Sequence, residues 1–221
     1  MNTRPTGRPV RHRERPPYDR DSLLEVAVVV FNERGYDRTS MEDLARRLGL
    51  SKSSIYHHVA GKEELLGLAV GRAMDALFAV LDEDPAADTT ATARLRHVVR
   101  RSVEVLAAEL PYVTLLLRVR GNSGVERRAQ EQRREFDRRV AELVERAATE
   151  GSVRDDIEPH LVSRLLFGTV NSLVEWYRPE GGLSVAVLSD ALTAVLFDGL
   201  TGRPARRSGP AADIPDRAAP N

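Results

Sequence analysis

The 221-residue chain contains no cysteine. That removes disulfide staples, thiolate nucleophiles and any cysteine-ligated zinc. Histidine is scarce, at five, and poorly placed for a metal. His57 and His58 are adjacent, so on a helix they point about 100° apart and cannot share an ion. His12 lies in a Pro/Arg-rich terminus, and His97 and His160 stand alone. The sequence has no run of 18 apolar residues and no signal-peptide pattern, so the expectation is a cytoplasmic protein with no membrane segment. Lysine is nearly absent: Lys52 and Lys62 are the only two, and the other 31 of the 33 basic side chains are arginine. No Ser/His/Asp spacing, paired-carboxylate motif or Gly-rich phosphate loop stands out, so nothing points to catalysis, a metal or a cofactor.

Charge is abundant, at 30% of residues, yet it sums to zero. The balance hides an asymmetry. Residues 1–62 carry 12 basic against 8 acidic side chains, and the remainder 21 against 25. Residues 1–17 hold Arg4, Arg8, Arg11, Arg13 and Arg15 among four prolines. Such an arm can track phosphates or enter a minor groove, or can serve only as a solubilising tail. Residues 203–221, rich in Pro, Ala and Arg, form a second tail without an evident task.

The stretch around which the chain is organised runs from Thr39 to Lys62. A Thr39/Ser40 cap, with Asp43 three residues after Ser40, opens a helix whose apolar face is Met41, Leu44, Ala45 and Leu48. Gly49 supplies a left-handed stop, Leu50 turns inward and Ser51 caps a second helix, Lys52 to His58. That second helix is too short to be stable alone. Ile55 and Val59 form its inward stripe, and Lys52, Ser53, Ser54, Tyr56, His57 and His58 are left facing out. Hydroxyls, a phenol, imidazoles and an ammonium on one face suit phosphates and base edges; a merely solvated polar face is the alternative. Both lysines sit at helix starts here, where a compact ammonium can approach a phosphate.

A first helix, Arg20 to Arg34, places Leu23, Leu24, Ala27, Val30 and Phe31 at helical spacing and ends at Gly35. A fourth starts near Gly61/Lys62 and runs towards Leu81, and Asp82 to Thr90 reads as a loop. Five more follow: Thr92 to Glu109, Pro111 to Arg120, Val125 to Glu150, Pro159 to Tyr177 and Ser184 to Thr201, separated by Gly-rich or Pro-rich breaks. The chain is therefore expected to be all-α with about nine helices: a basic arm at 1–17, a three-helix DNA-binding domain with a helix-turn-helix at 18–66, a helical body at 67–202 and a tail at 203–221. On the last helix Leu188, Ala191, Leu192, Val195, Leu196 and Gly199 make a narrow seam. On the one before it Leu161, Leu165, Gly168, Thr169, Ser172, Leu173 and Trp176 mix large and small residues. Both stripes suit a two-fold helical bundle, with intramolecular core as the alternative. Two recognition helices about 34 Å apart would read successive major grooves of a palindrome.

The segment Leu110 to Asn122 puts Arg118 and Arg120 in an apolar helix, and Asn171 and Glu175 lie one turn apart beside Phe167, Trp176 and Tyr177. Internal pairing, for example Arg118 with Glu175, is one reading. The other is the wall of a ligand cavity formed by Arg118, Arg120, Asn122, Phe167, Asn171, Glu175 and Trp176.

The pattern A-x-x-L-G-x-S-x-x-x-x-Y-x-H-x-x-x-K-E-x-L, from Ala45 to Leu65, resembles the DNA-binding domain of the TetR family of bacterial transcriptional regulators. The resemblance is strong over Tyr18 to Leu81 and architectural beyond. It implies an all-helical homodimer whose C-terminal half, a ligand-binding and dimerisation domain at 67–202, binds a small molecule and thereby releases a double-stranded operator. By position it assigns the backbone-contacting cap to Thr39/Ser40, groove-facing roles to Lys52, Ser53, Tyr56 and His58, and a phosphate contact to Lys62. The runs YVTLLLRVRGN, EFDRRV and FGTVNSLVEWYRP are also similar to actinobacterial TetR-type repressors of phenylacetate catabolism. That implies an acyl-CoA effector such as phenylacetyl-CoA, with Arg118, Arg120 or Arg127 meeting the CoA phosphates; the arginine-dense helix from Glu126 to Arg139 can equally be a solvated face. The rival readings are a DNA-binding or interaction dimer without a switch, an efflux regulator responding to a hydrophobic compound, and an enzyme with a fused DNA-binding domain.

Overall fold

The computed structural model describes residues 19–83 and 89–200, and every regular element among them is helical. The arginine-rich arm, Tyr18, most of the Asp82–Thr90 loop and the 203–221 tail lie outside the described residues. Helix α1 (Arg20–Arg34) starts where the Asp19 carboxylate accepts the Ser22 N–H at 2.8 Å, and it ends at Gly35 with φ 86°. It buries Leu23, Leu24, Ala27, Val28, Val30 and Phe31.

Ser40 caps α2 (Met41–Leu48). Its hydroxyl accepts the Asp43 N–H while the Asp43 carboxylate accepts the Ser40 N–H at 3.0 Å, a reciprocal capping box. Gly49 follows in the left-handed region, φ 66° and ψ 30°, a conformation costly for any residue with a Cβ. Ser51 then caps α3 (Lys52–Tyr56) by accepting the Ser54 N–H. This helix stops two residues short of the expected His58. The backbone there tightens into a turn that brings Val59, 3% exposed, back onto the core.

Helix α4 (Lys62–Asp82) is continuous across the boundary expected at 66/67, so the N-terminal headpiece, α1 to α3, and the body that follows share one helix. Helices α5 (Ala91–Ala108), α6 (Leu110–Arg118), α7 (Gly124–Thr149), α8 (Pro159–Trp176) and α9 (Val185–Asp198) complete the body, with a 3-10 turn at Pro179–Gly181 before α9. Helix α6 ends at Arg118 rather than Arg120 because Val119 turns extended, ψ 136°. In the body α4 packs against α5, α6 and α7, α8 lies on α7, and α9 lies on α5. Phe78, Phe136 and Phe167 stack edge-on in sequence through this centre, with ring centroids 6.0 and 4.9 Å apart.

The seam expected on α9 divides in two. Leu188 and Leu192 are buried against α5, whereas Val195 is 46% exposed, as is Val187, which lies outside the expected seam. On α8, Leu161, Leu165 and Trp176 are 49%, 59% and 54% exposed, while Leu173 is core. A helix resting on a neighbour has to turn part of its apolar stripe inward, and only the remainder is free. Among the described residues no helix is long and apolar enough to cross a membrane.

Ile55 is the only side chain of α3 that is fully buried. Ile55→Ala should therefore destabilise the protein by about 2–5 kcal/mol, read by equilibrium denaturation, and should speed amide exchange across residues 52–58. A variant as stable and as protected as the parent would show that α3 is held by something else.

Candidate nucleic-acid interface and effector cavity

The outward face of α3 and the turn after it is assembled as the spacing requires. Lys52, Ser53, His57 and His58 are exposed, and Tyr56 is 46% exposed with its phenol free of any intramolecular hydrogen bond among the described residues. Ser54 is half-buried, and its hydroxyl is engaged with the Ser51 hydroxyl at 2.7 Å. Ser53 shares the same partner at 2.9 Å. Ser40 stands exposed at the start of α2, with its hydroxyl on the Asp43 carboxylate at 2.6 Å. Lys52, Ser53, Tyr56, His57 and His58 thus remain available to a ligand, with Ser54 partly committed to the cap.

Two of the positions assigned to DNA contact are placed differently. Thr39 is 1% exposed and its hydroxyl donates to the Gly35 carbonyl at 2.8 Å, so it braces the α1–α2 connection and Ser40 alone is the cap. Lys62 is half-buried, and its ammonium donates to the carbonyls of Tyr36 (3.1 Å), Asp37 (3.4 Å) and Thr39 (3.1 Å). An ammonium has three hydrogens, and all three are taken. The cation also lies 4.5 Å from the centroid of the Tyr36 ring, whose phenol is pushed up to about 12, chiefly by burial, and stays neutral. Lys62 therefore fastens the start of α4 to the loop before α2. The motif could not reveal this, because the three carbonyls lie more than twenty residues back in the chain.

A cavity of about 240 Å³ lies in the body between α4, α5, α6, α7 and α8. Its apolar wall includes Met74, Leu106, Val113, Leu116, Phe136 and Phe167; its polar groups are Ser102, Arg133, Asp137, Arg164 and Asn171. Ser102 is 0% exposed and its hydroxyl has no hydrogen-bond partner among the described residues, an uncompensated group of the kind that costs about 1–3 kcal/mol. Burial raises the Asp137 carboxyl above the usual range, against the pull of Arg133, Arg164 and His160. The cavity thus offers apolar walls, an unsatisfied hydroxyl, and guanidinium and carboxyl groups to a ligand.

Of the expected effector residues, Phe167 and Asn171 line this cavity. Arg118 and Arg120 do not. They border a separate cleft with Asn32, Arg34, Tyr36 and Arg38, where Arg118 donates to the Asn32 carbonyl at 2.9 Å instead of pairing with Glu175. Asn122 is exposed, and its backbone N–H is held by the Glu126 carboxylate of the capping box that opens α7. Glu175 and Trp176 are exposed in the last turn of α8, beyond the lining residues. Ser102, Arg133, Asp137 and Arg164 carry no local signal that would place them in a cavity, because each is an ordinary polar residue of an amphipathic helix.

Lys62→Met removes three charge-assisted hydrogen bonds and should lower stability by about 1–3 kcal/mol. Lys52→Met, on an exposed face, should stay within about 0.5 kcal/mol of the parent. Urea midpoints measured on both variants check this pair, and equal midpoints would return Lys62 to the surface.

The geometry can be set beside known proteins. A family profile described as "Bacterial regulatory proteins, tetR family" matches residues 23–69, and one described as "Tetracyclin repressor-like, C-terminal domain" matches residues 88–200. The chain is 30% identical to the HTH-type transcriptional repressor KstR2 of Rhodococcus jostii over 184 residues, 82% of this chain and 90% of that protein. Among solved structures, SCO3833, a TetR regulator from Streptomyces coelicolor, is 63% identical with a TM-score of 0.77, covering 80% of this chain and 90% of that one. The ketosteroid transcriptional regulator KstR2 of Mycobacterium tuberculosis is 26% identical with a TM-score of 0.73, covering 83% and 95%. The helix-turn-helix and the cavity-bearing body both fall inside these matches, and the chain belongs to the TetR family of bacterial regulators, a DNA-binding transcriptional repressor and not an enzyme.

Proposed function

We propose that the protein acts in the cytoplasm as a homodimer on a palindromic operator, and that an aromatic acyl-CoA, with phenylacetyl-CoA as the first candidate, releases it. The observation that carries the ligand half of this reading is the buried, unpartnered Ser102 hydroxyl in an otherwise apolar cavity. A cavity of about 240 Å³ lies below the ~300 Å³ at which ligand pockets usually begin. It suits one ring better than a fused polycycle such as the ketosteroid in the name of the M. tuberculosis relative. Arg133 and Arg164 give an anionic or thioester group a place to rest.

The dimer is supported by the exposed apolar residues Leu161, Leu165 and Trp176 on α8 with Val187 and Val195 on α9. Pairing two copies there would bury them and set the spacing of the two α3 helices. For DNA, Ser40, Lys52, Ser53, Tyr56, His57 and His58 form the contacting set, with Ser54 supporting the cap. Thr39 and Lys62 act behind them. Effector binding need favour the non-binding spacing by only about 1–3 kcal/mol to switch the operator.

Lys52→Ala and Tyr56→Ala should each weaken operator binding by about 1–3 kcal/mol while leaving the fold intact, as measured by fluorescence anisotropy. In a gel shift on the DNA beside its own gene, phenylacetyl-CoA should free the operator at lower concentration than an aliphatic CoA thioester or an uncharged lipophile. Ser102→Leu, which fills the cavity, should keep DNA binding and lose the release. Indifference to every thioester would favour a DNA-binding dimer without a switch, and response to the lipophile alone would favour an efflux regulator.

A further inference from the structure

We infer that the DNA-contacting surface does not stop at the helix-turn-helix but continues onto the first turns of α7, with Arg128 of the body and Arg38 of the α1–α2 connection as phosphate ligands. The inference rests on reading the outer face of α3 as the surface that meets DNA. An open groove is lined at once by Ser40, Lys52 and Tyr56 and by Arg38, Val125 and Arg128. Anything that lies against Lys52 and Tyr56 along this groove passes the start of α7.

That position is fixed by close packing. A Cβ added to Gly67 of α4 would stand 3.7 Å from both methyls of Val125, so α7 begins directly on α4. Gly67 lies five residues past Lys62, about 7.5 Å along the rod. The guanidinium of Arg128 folds back over this first turn, 3.7 Å from where a Gly124 Cβ would be, and that of Arg127 reaches 4.0 Å from the same point. Both therefore lie near the α7 start, which faces the headpiece, rather than along the body.

Charge supports the same reading. Arg38, Arg127 and Arg128 have no carboxylate within 4.0 Å among the described residues. Farther along α7 Arg138 pairs with Glu135 and Glu142, and Arg139 with Asp82, while Arg133, Arg134 and Arg146 form no ion pair among the described residues. Arg128 is therefore singled out by its place in the groove together with its missing partner. Two adjacent guanidiniums without partners repel each other and are relieved by an anion. Of the other charged groups in the groove, Lys62 is taken by carbonyls, and Glu64 by Arg20 and the Ala60 N–H. Lys52, Arg38 and Arg128 remain, facing Asp37 and Glu63. So small a surplus fits one or two phosphates placed beside the cations, not a broad basic patch. A duplex backbone is the occupant because the groove is continuous with the α3 face.

The test uses the full-length protein and a duplex that the wild type selects from a random pool. Anisotropy titrations over a salt series give the slope of log K against log salt for wild type, Lys52→Ala, Arg128→Ala, Arg128→Lys, Arg128→Glu and, as control, Arg146→Ala in the last turn of α7. Arg128→Ala should weaken binding about 3- to 10-fold and reduce the salt slope by about 1. The loss should be the same on a scrambled duplex, because a phosphate carries no sequence. Arg128→Lys should recover part of the slope, Arg128→Glu should bind worse than Arg128→Ala, and Arg146→Ala should match wild type. Wild-type slope and affinity in Arg128→Ala, with Lys52→Ala impaired, overturn the extension alone. Wild-type binding in both overturns the α3 assignment beneath it. A change in Arg128→Ala confined to phenylacetyl-CoA binding would give the arginine to the effector and also overturn the proposal.

Discussion

A helix of five residues cannot hold its own shape in water, since nucleation costs more than so few hydrogen bonds return. The construction of the headpiece follows from that constraint. Ser51 satisfies the free amide of Ser54, Gly49 sets the direction of entry, and Ile55 and Val59 fasten the inner side to a core supplied by α1, α2 and α4. Lys62 closes the frame from the other end by tying the start of α4 to the carbonyls of Tyr36, Asp37 and Thr39. The chain enters α3 through the end of α2 and leaves it into α4, so both ends of the short helix are anchored. Its outer side chains keep their freedom to meet a ligand because the inner ones have none.

The same economy joins the headpiece to the cavity. Helix α6 presents Val113, Leu116 and Leu117 to the cavity, and from its other side it is bonded to both rods of the headpiece. Asn32 of α1 donates to the Pro111 carbonyl at 2.8 Å, and Arg118 donates back to the Asn32 carbonyl at 2.9 Å. Arg72 of α4 grips Glu109 through two hydrogen bonds, 2.7 and 2.9 Å, and lies 4.3 Å from the Tyr112 ring centroid. A ligand that pushes α6 outward must move α1 and α4 or break these contacts. Well-packed interiors prefer to shift as blocks, so a displacement of α6 would be carried to α1 and α4 through these contacts.

What could be read from the sequence was whatever depends on near neighbours. The Ser40/Asp43 box, the Gly49 stop and the Ser51 cap obey local rules, and α1 and the start of α8 fall where periodicity and Pro159 put them. The Ser123/Glu126 box at the start of α7 obeys the same local rule. The roles of Thr39 and Lys62 were hidden because their partners are set by tertiary approach. The cavity was hidden for the same reason, as five helices each lend it a few residues. Asn171 and Glu175 share a face by spacing, yet the cavity lining ends at Asn171 and the last turn of α8 runs past it, leaving Glu175 and Trp176 outside. Helical spacing identifies a face but not where along that face the neighbouring helices stop.

Helix α7 carries the consequence furthest. Its first turns bring Arg128 into the groove beside Lys52 and Tyr56, and its middle presents Arg133, Phe136 and Asp137 to the cavity. Nine residues separate Arg128 from Asp137, about 13 Å of straight helix. On the proposed reading one element would meet DNA at one end and the effector in its middle, with its start seated on α4 at Gly67. Such a lever needs no conformational relay through the loops. If a ligand against Phe136 tilted α7, Arg128 and the start of α7 on α4 would move together, and the proposed fit of body and helix-turn-helix to the duplex would be lost in one motion. Because linkage is reciprocal, a duplex held at both α3 and α7 must resist that tilt. On the proposed mechanism it would lower the affinity of the cavity by the same factor by which the ligand lowers the affinity for DNA.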